Sequence, residues 1–233
     1  MGWGKTIALA LVGLVVAAAV EGLVGTTQYE LNGKTYEVPH RYEFIRNFRL
    51  PWLEGVKGLA KEPHESVWLL IPATELARDV PGYTRDFHGY STDVPADIVV
   101  NVLGGKDARE FQQDRTDQLR MVADAIASGE GREPDKASGM ERVYSNHGLA
   151  GTPGEGFSSF FLMPRQGPGT LPDDWAPPRC LGSPDAKRRE RYDCSYVIYR
   201  DGLTFDFMLR QENIGVANLI PDYVMSRLKK WQG

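Results

Sequence analysis

Two segments of the chain alternate between apolar and polar residues around a turn sequence. Residues 28–38 alternate in this way on either side of Asn32-Gly33, and residues 192–209 do so around Asp201-Gly202. Alternation with a period of two is typical of a half-buried β-strand, and Asn-Gly and Asp-Gly are the residues that type I′ turns favour. The pattern predicts one β-hairpin at the start of the folded domain and a second near its end.

Apolar residues at helical spacing predict two amphipathic helices. In the middle of the chain Asp107 can cap a helix that ends at Gly129, and Glu110 lies three residues after it, as in a capping box. The apolar face of this helix consists of Phe111, Leu119, Val122 and Ile126. A second helix, residues 216–231, ends the chain, and Pro221 is tolerated only within its first turn. Its apolar face consists of Leu219, Ile220, Tyr223, Val224 and Leu228.

Shorter apolar runs predict the remaining elements. Strands are expected at residues 66–71, 97–103, 140–144 and 158–163, and a short helix at residues 73–80. Segments rich in Gly or Pro, or without a clear period, predict long loops at residues 39–63, 148–156 and 167–178. Hairpin-joined strands with segregated helices predict an α+β fold with a mainly antiparallel sheet.

The N-terminal segment has the pattern of an export signal. Lys5 precedes an uncharged apolar run at residues 7–20, and after Glu21 the next Lys or Arg is Lys34. This asymmetry orients the N-terminus inside the cell by the positive-inside rule, so the rest of the chain is exported. We expect a membrane anchor at residues 1–24, with a cleaved signal peptide as the competing interpretation and a buried core helix as a third. Residues 25–233 then form a single exported domain, as their number suggests.

The two cysteines, Cys180 and Cys194, agree with export. They are close in sequence and even in number, and an exported compartment allows such a pair to oxidise. We therefore predict a disulfide between them. A catalytic pair more often has the C-x-x-C spacing, and a zinc site requires further ligands that the sequence does not place nearby.

Composition and charge narrow the class of partner. Hydrophobic residues make up 42% and charged residues 25% of the 233 residues, which is globular composition. A net charge of −4 provides no excess of basic residues for neutralising phosphates, which argues against a nucleic-acid partner. A basic run inside the predicted disulfide loop is a candidate surface for a partner or an anionic headgroup, with a solvated loop as the alternative. It consists of Lys187, Arg188, Arg189 and Arg191.

Motifs that carry chemistry are incomplete throughout the chain. Gly4-Lys5-Thr6 lacks the first glycine of a phosphate-binding loop, and Gly156 to Phe160 lacks the second glycine of a nucleophile elbow around Ser158. The four histidines are scattered singly. The tryptophans at 52, 68, 175 and 231 can be interface anchors or core residues, and the sequence does not distinguish them. We therefore expect no catalytic residue, metal ligand or cofactor.

Two patches resemble a known group of proteins. The segment Tyr29-Glu30-Leu31-Asn32-Gly33-Lys34-Thr35-Tyr36-Glu37-Val38-Pro39 follows the apolar N-terminus, and Cys194-Ser195-Tyr196 begins a hairpin followed by a final helix. Both resemble small inner-membrane-anchored periplasmic proteins of Gram-negative bacteria. Some of these are immunity proteins for antibacterial effectors of contact-dependent systems such as type VI secretion.

The resemblance implies a single-pass inner-membrane protein whose periplasmic domain binds a protein partner. Immunity against an effector is the expectation. A non-catalytic assembly subunit of an envelope complex is one alternative. An exported hydrolase is another, for which Ser158, His147 and Asp173 are the candidate residues.

Overall fold

The structure is a computed structural model that describes residues 25–44, 65–88, 93–105, 108–127, 131–136, 138–144, 159–182 and 192–233. The predicted anchor at residues 1–24 lies outside these ranges. Within them, no helix is both long enough and apolar enough to cross a membrane. The fold is α+β with antiparallel sheets, as the sequence predicts.

Twelve strands are present in the described part of the chain. They are β1 (Thr26–Leu31), β2 (Lys34–Pro39), β3 (Ser66–Ile71), β4 (Asp86–His88), β5 (Asp93–Pro95), β6 (Ile98–Leu103), β7 (Arg132–Pro134), β8 (Glu141–Tyr144), β9 (Ser159–Met163), β10 (Arg179–Gly182), β11 (Tyr192–Arg200) and β12 (Leu203–Arg210). Eight of them form one antiparallel sheet in the order β3-β6-β12-β11-β10-β9-β8-β7. The β1–β2 and β4–β5 pairs form two small sheets of their own.

Three α-helices accompany the strands in these ranges. They are α1 (Ala73–Asp79), α2 (Ala108–Ala127) and α3 (Ile220–Trp231). In the same ranges, 3₁₀-helices lie at His40–Tyr42, Pro168–Thr170 and Gln211–Leu219. The predicted start of the last helix at residue 216 is wrong, because residues up to 219 are 3₁₀-helical. Pro221 lies at the first turn of α3, where its fixed φ and missing N–H are tolerated, and this favours a helix that begins beside it.

The two predicted hairpins are confirmed, and both turns have the backbone that type I′ requires. Asn32 and Gly33 have φ of 52° and 69°, and Asp201 and Gly202 have φ of 52° and 82°. The Asn32 side chain also joins separate turns, since its Oδ1 accepts from the Gly105 N–H at 3.0 Å and its Nδ2 donates to the Gly202 carbonyl. The first hairpin is thereby fixed to the end of the main sheet.

Each face of the main sheet has a different covering. On the first face, the β1–β2 hairpin and the apolar side of α3 pack into the main core, with Leu31, Val38, Ile220, Val224 and Leu228 fully or almost fully buried. On the second face, α2 covers β8 and β9, where Val122 and Ala125 pack with Val143, Phe161 and Met163. Near its start, α2 reaches β11, and Phe111 stacks on Tyr199 with ring centroids 5.4 Å apart.

Candidate functional site

The predicted cysteine pair forms a disulfide. Cys180 and Cys194 are directly opposite each other on β10 and β11, with 4.0 Å between their Cα atoms. Both side chains are fully buried in the main core. The bond therefore cross-links neighbouring strands at the centre of the sheet and takes no part in a surface site.

The other predicted site residues do not form a site in the described ranges. Lys187, Arg188, Arg189 and Arg191 lie outside the described residues, and so do Ser158 and His147. Asp173 is described, and its fully exposed carboxylate lies 3.5 Å from Arg115 in a surface ion pair. In the same ranges, no group of His, Cys, Asp or Glu side chains is placed to hold a metal ion.

A buried polar network joins β7 and β8 to β11. The carboxylate of Asp135 is fully buried and accepts hydrogen bonds from the Ser138 hydroxyl at 2.6 Å, the Tyr192 hydroxyl at 2.6 Å and Arg142 Nε at 2.9 Å. Burial opposes ionisation of Asp135, but these donors outweigh burial and lower its pKa. Arg142 lies over the rings of Phe160 and Tyr192. Every charged member has a partner, so this network holds strands together and offers nothing to a ligand.

A crevice of about 410 Å³ separates α1 from α3. The central cation, Arg227, binds Glu75 at 2.7 Å and Asp79 at 3.2 Å. Another lining residue, Asp222, binds Arg200 at 2.7 Å. Arg227 and Asp222 are therefore paired within the protein, and the contacts of Arg227 tie the two helices together.

Among the described residues, those of α2 that pack on the second face of the sheet lie over β8, β9 and β11, and the part of this face over β3, β6 and β12 carries a different set of side chains. One row of paired residues crosses these three strands, because Trp68 lies opposite Asn101 and Asn101 lies opposite Asp206. Val100 and Val102 point into the main core, so by alternation Asn101 points to the second face. Met208 follows Asp206 on the same side of β12. We call Phe44, Trp68, Asn101, Asp206 and Met208 the open face.

Three residues of the open face have large apolar side chains. Trp68 is 42% exposed and Met208 is 52% exposed. Phe44, which is 51% exposed, donates its backbone N–H to the Trp68 carbonyl at 2.9 Å, so it extends the row beyond β3. Single exposed apolar residues are common on protein surfaces, but three on one face are a feature of binding surfaces.

Polar atoms without partners lie on the same face. Among the described residues, three buried side-chain atoms have no hydrogen-bond partner: Asn101 Oδ1, Thr204 Oγ1 and Tyr196 Oη. The first two belong to this side of the sheet, since Asn101 is opposite Asp206 and Thr204 lies two residues before it on β12. Asn101 is only 8% exposed. Buried polar groups normally have partners, so Asn101 and Thr204 are unusual positions of this sheet.

Asp206 is the charged group of the open face. Its carboxylate is half-buried, and burial raises its pKa although a hydrogen bond from Ser195 lowers it. In the described part of the chain no cation is paired with Asp206. The other charges on this side of the sheet have partners, since Arg210 binds Asp193 at 3.4 Å and Arg179 donates to the Ser159 hydroxyl at 3.3 Å.

Sequence reasoning did not identify this site. Trp68 was one of four equivalent tryptophans, and the structure separates them: Trp175 is buried, Trp231 is half-buried beside Tyr42, and Trp52 lies outside the described residues. Asn101 interrupts the apolar run of β6, and this polar residue is the one signal in the sequence by which the open face could have been found.

Comparisons with known proteins add little to this description. No model of a known protein family matches the sequence, and no curated protein is significantly similar to it. Solved structures similar to this chain include the Neisseria meningitidis iron-regulated outer membrane lipoprotein FrpD, with a TM-score of 0.42 and 10% identity, covering 89% of this chain and 94% of that chain. They also include Smlt3025, an immunity protein of the Stenotrophomonas maltophilia type IV secretion system, with a TM-score of 0.37 and 11% identity, covering 90% and 94%. These scores are too low to assign a function to this chain.

Proposed function

We propose that this protein is an immunity-type binding protein of the bacterial envelope that binds and neutralises an antibacterial effector. In this proposal residues 1–24 hold it in the inner membrane, the folded domain lies in the periplasm, and the open face contacts the partner. The proposal includes no enzymatic activity, because a protein that occludes an effector needs a complementary surface and no reacting group of its own.

The observation that carries the proposal is the composition of the open face. Trp and Met are enriched in protein interfaces, and energetic hot spots centre on large side chains surrounded by a rim that excludes water. Here Trp68 and Met208 are exposed around the buried and unpaired Asn101 Oδ1. A partner that covers this face would bury the apolar groups.

The disulfide supports the periplasmic part of the proposal. Thiols are kept reduced in the cytosol, whereas the periplasm oxidises them, so a buried Cys180–Cys194 bond suits a domain that folds after export. Delivery of the effector by a contact-dependent system such as type VI secretion is the finer part of the proposal. This part derives from the resemblance of residues 29–39 and of the C-terminal hairpin and helix to inner-membrane-anchored periplasmic immunity proteins.

The test is affinity purification of the tagged full-length protein from the membrane of its own host, followed by mass spectrometry. We expect one near-stoichiometric partner with toxin-like domains, and co-expression of our protein should then protect cells against that partner. Recovery of several envelope-machinery subunits instead would favour the assembly-subunit interpretation and contradict immunity.

Two matched variants test whether the open face makes the contact. Met208→Arg places a bulky cation on the open face, and Met121→Arg makes the same change on the exposed side of α2, where Met121 is 39% exposed. Neither residue is in the core, so both variants are expected to fold. We expect Met208→Arg to lose the partner and Met121→Arg to retain it, and equal recovery by both variants would place the interface elsewhere.

A further inference from the structure

The turn of the first hairpin combines a reactive sequence with a fixed side chain. Asn32-Gly33 is the only Asn-Gly pair in the 233 residues, and both of its residues are exposed to solvent. The Asn32 side chain nevertheless has partners in two distant turns. Its Oδ1 accepts from the Gly105 N–H at 3.0 Å, and its Nδ2 donates to the Gly202 carbonyl. The amide group of Asn32 is therefore close to water but held in one orientation.

We propose that Asn32 is a site of spontaneous deamidation that the closed turn protects and that reacts when the turn opens. In this reaction the Gly33 backbone nitrogen attacks Asn32 Cγ, and a new C–N bond forms. The bond from Cγ to Nδ2 breaks, and the amide leaves as ammonia with the proton of the Gly33 N–H. Water then hydrolyses the succinimide ring at either carbonyl, which gives aspartate or isoaspartate. A following glycine favours the attack, because it has no side chain to shield its nitrogen.

The backbone of the closed turn keeps the reacting atoms apart. Asn32 and Gly33 have φ of 52° and 69°, as a type I′ turn requires, and in such a turn ψ of the first central residue is about 30°. At that ψ the Gly33 nitrogen is rotated about 150° from Asn32 Cβ around the Cα–C bond, so it lies on the opposite side. Ring closure requires the nitrogen and Cβ on the same side. The reaction therefore needs a large rotation of ψ, which breaks the turn.

The contacts of Asn32 are a second restraint. To bring Cγ to the Gly33 nitrogen, the side chain must give up its hydrogen bonds to Gly105 and Gly202. The backbone is also closely packed, because a Cβ atom added to Gly104 would lie 2.9 Å from the Asn32 nitrogen and 3.0 Å from Leu31 Cα. Deamidation of the folded protein therefore requires local opening of the hairpin at the end that contacts the main sheet, and solvent exposure alone is not sufficient.

The product prevents the turn from closing in the same way again. A carboxylate only accepts hydrogen bonds, so aspartate at this position has no donor for the Gly202 carbonyl. Isoaspartate also adds one carbon to the main chain, which disturbs the pairing of Leu31 with Lys34 across the turn. Because the amide is not restored, deamidation leaves a lasting change in every molecule in which the turn has opened and reacted.

The experiment follows deamidation of the full-length protein in detergent micelles at mildly alkaline pH, which favours removal of the proton from the attacking nitrogen. Peptide mass spectrometry locates the product, and labelling by an isoaspartyl methyltransferase measures isoaspartate. The folded protein is compared with the same protein in urea and with a synthetic peptide of residues 28–37. We expect Asn32 to react in urea and in the peptide, and at least about tenfold more slowly in the folded protein.

Matched variants test the role of the closed turn. Gly104→Ala presses a Cβ against Asn32 and should accelerate deamidation of the folded protein at least about threefold. Gly169→Ala, whose Cβ meets no atom within 4 Å, should react at the natural rate. Thermal unfolding verifies that both variants are folded.

A third variant, Asn32→Asp, has the side chain of one product. It should accelerate hydrogen exchange of the Leu31 and Lys34 amides about tenfold and leave the Cys180 amide, in the main sheet, unchanged.

Each contrary result overturns the inference. No reaction at Asn32 in urea and in the peptide would exclude the site, and equal rates in the folded and unfolded protein would exclude protection by the turn. Equal rates in the two glycine variants would exclude the role of the close packing at Gly104, and unchanged exchange in Asn32→Asp would exclude an effect on the turn. The comparison of folded with unfolded protein depends on no variant. Because none of these measurements uses a partner, their failure is separate from failure of the proposed function.

Discussion

The disulfide joins β10 to β11 at the centre of the sheet, and its removal has a calculable effect on stability. Cys180 and Cys194 are separated by 14 residues, so the bond closes a loop of about 15 residues in the unfolded chain. In the chain-entropy model this restriction stabilises the folded state by about 3 kcal/mol. For a domain of this size 1 kcal/mol corresponds to a change of about 2 to 4 °C in the melting temperature, so loss of the bond should lower it by about 6 to 12 °C.

Burial of the two sulfur atoms adds a kinetic expectation. Both side chains have no exposed surface, so a reductant reaches them only when the sheet opens. We expect the folded protein to keep its disulfide in mild reductant and to lose it quickly in urea. The Cys180→Ala, Cys194→Ala double variant should be less stable than the natural protein by more than the loop term alone, because it also leaves space in the core.

The assay compares thermal unfolding of the oxidised protein, the protein reduced in urea and refolded with reductant, and the double alanine variant. Thiol labelling before and after urea verifies the redox state of each sample. A reduced sample with two verified free thiols that melts within about 1 °C of the oxidised protein would refute the stabilising role of the bond. Rapid labelling of the native protein after mild reduction would contradict the burial of the pair.

Three further substitutions test other parts of the structure. Asp135→Asn should lower the free energy of unfolding, measured by urea denaturation, by about 3 to 5 kcal/mol, because it removes one partner of a buried ion pair. Glu133→Gln, at the exposed end of the same network, should lower it by less than about 1 kcal/mol. Burial raises the pKa of Asp206, so the ionised carboxylate destabilises the folded state at any pH above the pKa that the group has in the unfolded chain. Asp206→Asn should therefore be more stable than the natural protein at neutral pH. In urea titrations below about pH 4, where the carboxyl group is protonated in both states, this difference in stability should disappear. Gly104→Ala places a Cβ 2.9 Å from the backbone N of Asn32 and should cost about 1 to 3 kcal/mol, whereas Gly169→Ala, with no atom within 4 Å, should be nearly neutral in the same assay.

The hairpins could be predicted because their information is local. Asn32-Gly33 and Asp201-Gly202 both have positive φ, which few residue types adopt, so the turn residues themselves specify the turn. The alternation in β12 likewise places Leu203, Phe205 and Phe207 on the core side and Asp206 on the other side. These features depend on neighbours in the sequence, and the structure contains them as expected.

The open face could not be predicted because it depends on pairing between distant segments. Asp206 lies opposite Asn101 only because β12 pairs with β6, more than a hundred residues earlier, and Trp68 joins the row only because β3 pairs with the other edge of β6. A shift of one residue in either register would turn these side chains into the core. The alternation of each strand gives the side on which a residue lies, but not its neighbour across the sheet.

The arrangement of the open face links binding to stability. Burial makes the ionised Asp206 unfavourable for the folded domain, and the unpaired Asn101 Oδ1 has lost water without gaining a donor. Both costs are incurred in the free protein, before any partner arrives. Because part of the desolvation of Asp206 is already complete in the free protein, a cation of a partner that reached this carboxylate would gain more than at a fully hydrated surface. This side of the sheet carries the exposed Trp68 and Met208 and two of the three described buried atoms that lack hydrogen-bond partners, Asn101 Oδ1 and Thr204 Oγ1, so it is suboptimal for folding at the place where the proposed partner would bind.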